Sequence, residues 1–484
     1  MSLRRMAVLV FWAGLFATHI NYMVDPDLWW HLKNGQYILQ HGILHFDVFS
    51  YTIKGQALIA HESLFQIILW SIYKLGNLPA VMMLAAFFCV LIFWVTYKSC
   101  AGKPYLSMYV LLLMLPTMKQ FSAPRPQLVS ILMVAILVYV VEKVKDRALN
   151  SRAFFFFPLL FLVWANAHAG YIYGIVVLSI YVFGECVQLL LKRKSARTLD
   201  WQDIRCLGIA IGISFLAAGI NPNGYHLWIY PIEQVFGHAQ QEYILEWQSP
   251  SFHSWSTWPF IIALGLWVLA WIFTQKTPTF TEILLLSATT VGSLISFRHT
   301  PYFMVVNVPM FSRYFLDCFK NTELYELFDG TLPEPRLTRT QSISNVFLLA
   351  VVLLGCGGWI AKMIADNDVS IRKKFPVSAV DYIREKGLDK KRIYNDYGWG
   401  GYLLWRDIPV FIDGRAEVYG DKFMQSYFNT QDLRKNWREA LEKYKVEYVL
   451  LTTDKPLVRL LKERPEWRET YRDNIAVILE KNNI

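Results

Sequence analysis

The chain has 484 residues, 54% of them hydrophobic and 16% aromatic, with only 18% charged and a formal net charge of +10. Soluble domains carry about 25% charged residues; apolar runs that recur from end to end therefore exclude a soluble enzyme and indicate a polytopic membrane protein. The positive excess sits in short connectors between apolar runs, which is how a membrane protein sets its orientation, so it is no sign of nucleic-acid binding.

In chain order the apolar segments fall near 6–23, 78–97, 104–118, 126–142, 153–167, 170–191, 205–220, 257–274, 281–297, 299–316 and 344–365, with a shorter run at 63–75. Arg4 and Arg5 place the N-terminus in the cytoplasm, and the first run reads as a retained helix because no small-residue cleavage site follows it. The later positive connectors are Lys98 and Lys103, then Lys143, Lys145, Arg147 and Arg152, then Lys192, Arg193, Lys194 and Arg197, then Arg336 and Arg339. All of them face the cytoplasm if segment 63–75 is an interfacial helix and not a span, which gives about eleven spans. The outer side then receives a long first loop (24–77), 119–125, the turn near 167–170, 221–256, the turn near 298–299 and everything from 366 onward. The expected organisation is an α-helical multi-span membrane domain over 1–365 and a small extracytoplasmic α/β domain over 366–484.

Within that last domain VSAVDYIREKG and LRKNWREALEKY read as helices, and KRIYND, YLLWR, IPVFID, EYVLLTT and AVILEK read as short strands. The six cysteines show no metal spacing and do not suggest a disulfide framework. No phosphate-binding glycine loop is present: Gly398, Gly400 and Gly401 match neither common spacing.

Polar residues collect on the outer face. In DPDLWWHLKNGQYILQHG, Asp27 suits an N-cap for the helix over 28–41, and it equally suits a base at the membrane boundary. Trp29 and Trp30 suit an interfacial belt that would lay this helix flat. Arg125 in APRPQL, Lys119 nearby, and Arg298–His299 at a tight turn are either end-of-helix snorkelling groups or a clamp for phosphate oxygens. Asn166 and His168 in WANAHAG are either structural or pocket residues, and Asn221 and Asn223 look first like turn residues. Glu242, Glu246 and Trp247 form an acidic–aromatic patch that suits an interfacial loop or a sugar. Asp413, Arg415, Glu417, Tyr419 and Asp421 in FIDGRAEVYGD suit a solvated turn or a lid that meets the acceptor.

DPDLWWHLKNGQYILQHG, HFDVFSYT and HESLFQ together resemble the first outer loop of the GT-C membrane glycosyltransferases, which include the protein O-mannosyltransferases and lipid A aminoarabinose transferases. RPQ at 125–127, WANAH at 164–168 and the GGYLLW…FIDGRAEVYG stretch are similar to a bacterial group within that architecture, so the resemblance covers most of the chain. It implies a many-span bundle in the bacterial plasma membrane with an outward active site, a polyprenyl-phosphate sugar as donor, and an acceptor hydroxyl on a protein, lipid or glycan. By the same resemblance Asp27, with Asp25 second, is the base or acceptor-orienting acid. Leu28 stands where the mannosyltransferases carry a second acid. Some superfamily members need a divalent cation and others do not; here Asp25, Asp27 and Glu62 would be the residues to hold Mg²⁺ or Mn²⁺. The competing classes are a flippase for lipid-linked sugars, which internal repeats would favour and none are visible, and a non-catalytic scaffold of surface-polysaccharide assembly.

Overall fold

The computed structural model describes residues 1–193, 195–235 and 238–482; Lys194 of the third positive connector lies outside them. The protein is mostly helical, and every one of the apolar segments expected to span is a helix. These are α1 (Leu3–Thr18), then, after the amphipathic α2 (Pro26–His41), α3 (Ser63–Ser99), α4 (Tyr105–Gln120), α5 (Gln127–Lys145), α6 (Phe157–Ala167), α7 (Tyr171–Leu190), α8 (Trp201–Ala218), α9 (Trp258–Phe273), α10 (Phe280–Ile295), α11 (Thr300–Asp317) and α12 (Arg339–Ala365). Among the described residues six helices are long and apolar enough to cross a membrane. α3 contains both the 63–75 and the 78–97 runs, separated by a break at Gly76 and Asn77, where Asn77 has a left-handed φ of 53°.

The chain divides into two compact units, one of Met1–Asn21, Met82–Pro231 and Glu246–Lys362, the other of Tyr22–Val81, Ile232–Leu245 and Met363–Ile484. The first unit is the helix bundle. Two of the connector charges, Arg197 and Lys145, are paired within the bundle, as is Arg313 of α11. Arg313 donates to Glu142 at 2.7 Å and to Glu282 at 2.9 Å, Arg197 donates to Glu142 at 2.7 Å, and Lys145 pairs with Glu185. Tyr314 and Tyr181 complete the set, each donating its hydroxyl to a carboxylate, Glu282 at 2.6 Å and Glu142 at 3.0 Å. Buried charges persist only when paired and hydrogen-bonded in this way.

The second unit joins the long loop after α1 to the C-terminal segment. Its sheet has the order β1 (Ile393–Asn395), β2 (Tyr448–Thr452), β4 (Ala476–Lys481), β3 (Trp467–Arg472), with β1 parallel to β2 and the other pairs antiparallel. Its helices include α13 (Val377–Glu385), α14 (Gly400–Trp405), α15 (Ala416–Tyr419) and α16 (Asp421–Gln431). Three of the expected strands are present; β3 and α16 were not anticipated.

YLLWR is helix, not strand. Its two leading glycines allow close approach: an added Cβ on Gly400 would lie 2.2 Å from the Ile412 carbonyl oxygen, and one on Gly401 would lie 2.6 Å from that of Pro26. A five-residue apolar run carries no periodicity able to separate the two conformations. IPVFID is not a ladder strand. The Asn395 side chain stands in for a neighbouring backbone, accepting from Phe411 N at 2.9 Å and donating to Ile412 O at 2.8 Å, while Val410 bridges Ser50 of the first loop. LRKNWREALEKY is helical only over Glu439–Lys443, and Leu433 and Asn436 take left-handed backbone.

Candidate functional site

In the second unit the acidic motif is fixed at the start of α2. Asp25, not Asp27, is the cap: its Oδ1 accepts from Asp27 N at 2.9 Å, and Pro26, which has no N–H to satisfy, takes the first helical position. Asp27 therefore falls in the first turn, where the helix dipole favours a negative charge. Three residues on, Trp30 lies on the same face, and its indole N–H donates to Asp27 Oδ1 at 3.0 Å. Gly414 closes over that oxygen; a Cβ there would lie 2.2 Å from Asp27 Oδ1 and 3.0 Å from Trp30 Nε1. The glycine of IDGRAEVYG is thus a steric requirement of the Asp27 carboxylate.

Trp29 and Trp30 are buried and do not form an interfacial belt. Trp29 packs edge-on to Phe375 at 5.6 Å and Tyr402 at 5.2 Å. α2 crosses the start of α3 at Gly35, whose missing Cβ would sit 2.1 Å from Gln66 O. The crossing brings His31 to Gln66, at 3.3 Å between Nδ1 and Nε2, and to Glu62, at 3.6 Å. Glu62 also pairs with His61 at 3.4 Å. Burial would depress His61, but the Glu62 carboxylate outweighs it and lifts the imidazole to about 9. Glu417 on α15 shares this environment, and burial pushes its carboxyl up to about 7, against the opposing pull of His61.

Asp413 and Arg415 are fully buried. Arg415 reaches Asp413 at 2.6 Å and Asp47 at 2.8 Å; Tyr419 donates to Asp413 at 2.9 Å, and Ser50 donates to Asp47 at 2.9 Å from both its amide and its hydroxyl. This network ties the first loop to the IDGRAEVYG segment. Leaving such charges buried and unpaired costs about 3–5 kcal/mol, so it holds in place the glycine that meets Asp27.

In the first unit Arg125, Glu246, Trp247, Arg298 and His299 come together. The segment after 245 is laid along the turn between α10 and α11: Phe297 N donates to Gln248 O at 3.0 Å, and Ser296 Oγ to Glu246 O at 3.0 Å. That register puts the Arg298 guanidinium over the Trp247 ring at 4.2 Å, and Gln127 holds Arg298 O at 3.2 Å. Arg125 donates to both Glu246 oxygens, at 3.2 and 3.3 Å, and the pair is partly exposed. The His299 ring lies tilted against Tyr173, 5.7 Å between centroids, and Nδ1 is 3.2 Å from Gly292 O.

His168 meets Ser130 at 2.6 Å, and Ser130 also accepts from Trp164 at 2.6 Å. Asn166 crosslinks Leu162 O at 2.8 Å and Ile220 O at 2.9 Å, and Lys119 caps the end of α1 through Thr18 O and, at 3.4 Å, Ile20 O. Asn221 makes turn contacts within its own loop.

Sequence reasoning singled out Asp25, Asp27, Arg125, Arg298 and Trp247 as separate candidates. It missed Trp30 and Gly414 as the holders of Asp27, and Glu246 as the partner of Arg125. The glycine in IDGRAEVYG was the one available signal. Among the described residues no three carboxylate, imidazole or thiolate groups are arranged to hold a metal ion, and Asp25, Asp27 and Glu62 do not form such a set.

Neither a family model nor a curated protein matches the chain. Solved structures do. The archaeal oligosaccharyltransferase AglB from Archaeoglobus fulgidus, in complex with an inhibitory peptide and a dolichol-phosphate, superposes with a TM-score of 0.57 at 12% identity, over 93% of this chain and 69% of that one. ArnT from Cupriavidus metallidurans in the apo state gives 0.55 at 13% identity over 99% and 97%, and ArnT bound to undecaprenyl phosphate gives 0.50 at 12% over 99% and 98%. The chain therefore shares the fold of these solved membrane proteins: a bundle of apolar helices with a small C-terminal sheet domain.

Proposed function

We propose that the protein is a membrane glycosyltransferase that moves a sugar from a polyprenyl-phosphate donor to an acceptor hydroxyl on the extracytoplasmic side of a bacterial plasma membrane. The observation that carries this reading is the seat built around Asp27, a first-turn carboxylate oriented by Trp30 and closed by Gly414, in a chain whose structural neighbours include proteins solved with dolichol-phosphate and with undecaprenyl phosphate.

In this reading Asp27 takes the proton from the acceptor hydroxyl as that oxygen attacks the anomeric carbon. The bond from that carbon to the donor phosphate breaks, and the phosphate leaves with its charge. Arg125 and Arg298 hold the phosphate and stabilise that charge; Trp247 orients the Arg298 guanidinium. A single displacement inverts the anomeric centre. Asp25 contributes by capping α2 and so fixing Asp27, and His168, His299 and Glu62 shape the surroundings of the two clusters.

The test uses purified protein in lipid with a panel of radiolabelled polyprenyl-phosphate sugars and a membrane extract as acceptor source. Wild type transfers label and Asp27→Asn, folded to the same Tm, does not. Donor binding without transfer by either protein would overturn the enzyme and leave a flippase or scaffold.

A further inference from the structure

A second basic site lies at the other end of α1. A cavity of about 440 Å³ opens between the start of α1, the end of α3 and the turn into α4. Arg4, Arg5 and Lys103 supply its charge, and Val8, Leu9 and Tyr97 form its walls. Among the described residues no carboxylate lines it.

The site is built by packing. Arg4 donates to Lys103 O at 2.9 Å and to Gly330 O at 3.3 Å, which fixes its guanidinium at the rim. Gly330 is required there: it has a φ of 76°, and a Cβ would lie 2.0 Å from Lys103 O. Lys103 is held by Lys98 O at 3.0 Å and rests 5.6 Å from the Tyr97 ring, which Trp12 of α1 meets edge-on at 5.7 Å. Beyond the rim the surface turns apolar, with Leu9 48% and Trp94 47% exposed along the helices. A cationic cup that opens onto an apolar helix face fits an amphiphile with an anionic head.

We propose that this cavity binds the phosphate headgroup of an anionic glycerophospholipid, with its acyl chains lying along Leu9 and Trp94. By the distribution of positive connectors this end of α1 faces the cytoplasm, where anionic lipids meet basic side chains near the membrane surface. Arg4, Arg5 and Lys103 share the phosphate charge, and the Lys103 and Arg5 stems cover the glycerol region. The site is separate from the proposed donor clamp and does not depend on that assignment.

The experiment uses the full chain in mild detergent and native mass spectrometry to count bound lipid, with phosphatidylglycerol, phosphatidylcholine and inorganic phosphate as probes. Phosphatidylglycerol is expected to bind in preference to phosphatidylcholine. Arg5→Gln combined with Lys103→Gln should cut the phosphatidylglycerol affinity about tenfold or more, from two lost contacts to the phosphate. Arg5→Gln alone, which leaves the carbonyl contacts of Arg4 intact, should show a smaller loss of the same sign. Equal binding of the two lipids, or an undiminished preference in the folded double variant, would overturn the site. Displacement of phosphatidylglycerol by inorganic phosphate at equal concentration would overturn the lipid and leave a free-anion site.

Discussion

Replacing Glu246 by Gln tests whether Arg125 is a phosphate ligand held in reserve. In the structure one Arg125 nitrogen donates to both Glu246 oxygens, at 3.2 and 3.3 Å, and the side chains are 24% and 37% exposed. A lipid phosphate that binds Arg125 must displace that carboxylate. A partly exposed pair of this kind is worth about 0.2–1 kcal/mol. Its removal should therefore tighten binding by up to about fivefold, since 1.4 kcal/mol is tenfold. Arg125→Ala should act in the opposite direction and more strongly, because a hydrogen bond to a charged group contributes about 1.5–3 kcal/mol. The assay is titration of the detergent-solubilised protein with undecaprenyl phosphate, followed by tryptophan fluorescence, with Trp247, next to Glu246 in the chain, as a reporter. The Glu246→Gln gain should vanish in the Arg125→Ala background. Weaker binding by Glu246→Gln would refute the reasoning and make Glu246 a support that orients Arg125, not a competitor for it.

Two further outcomes follow from the second unit. Gly414→Ala should abolish transfer while lowering Tm only modestly, because the new Cβ, 2.2 Å from Asp27 Oδ1, meets the end of a side chain that can move aside; overpacking of this sort costs about 1–3 kcal/mol, and turnover and thermal unfolding measured together separate the two effects. Stability of the wild type should fall as pH rises. Glu417 is raised from 4.5 to about 7 and His61 from 6.5 to about 9, so the folded state holds more protons than the unfolded chain between 4.5 and 7 and again between 6.5 and 9. Glu417→Gln should flatten the lower limb and weaken the upper one, because the Glu417 carboxylate also helps to raise His61; Tm measured across pH 4.5 to 9 checks it, and a rise in stability with pH over that range would contradict the assigned environments.

The sequence by itself determined the features that depend on local pattern. Hydropathy located the apolar helices, because a helix in lipid must satisfy its own backbone and so announces itself by a long apolar run. The acidic start of α2 was legible for a similar reason: Asp, Pro and Asp ahead of an amphipathic run is local chemistry. The cap was misplaced by two residues even so, because Pro26 fits the first helical turn and hands the capping role to Asp25. Tertiary structure decided the rest. Whether GGYLLW is helix or strand depended on what approaches Gly400 and Gly401, and those atoms belong to Ile412 and Pro26. Whether FIDGRAEVYGD is a solvated turn depended on Asp47, far back in the first loop, which buries Arg415 and carries Gly414 to Asp27. Arg125 read as a snorkelling group or a phosphate clamp helped by Lys119, and only the path of the chain after 245 shows Glu246 beside it. Periodicity reports the face a residue turns to the core; it holds no information on which distant residue meets it there, and charge pairing is set by that meeting.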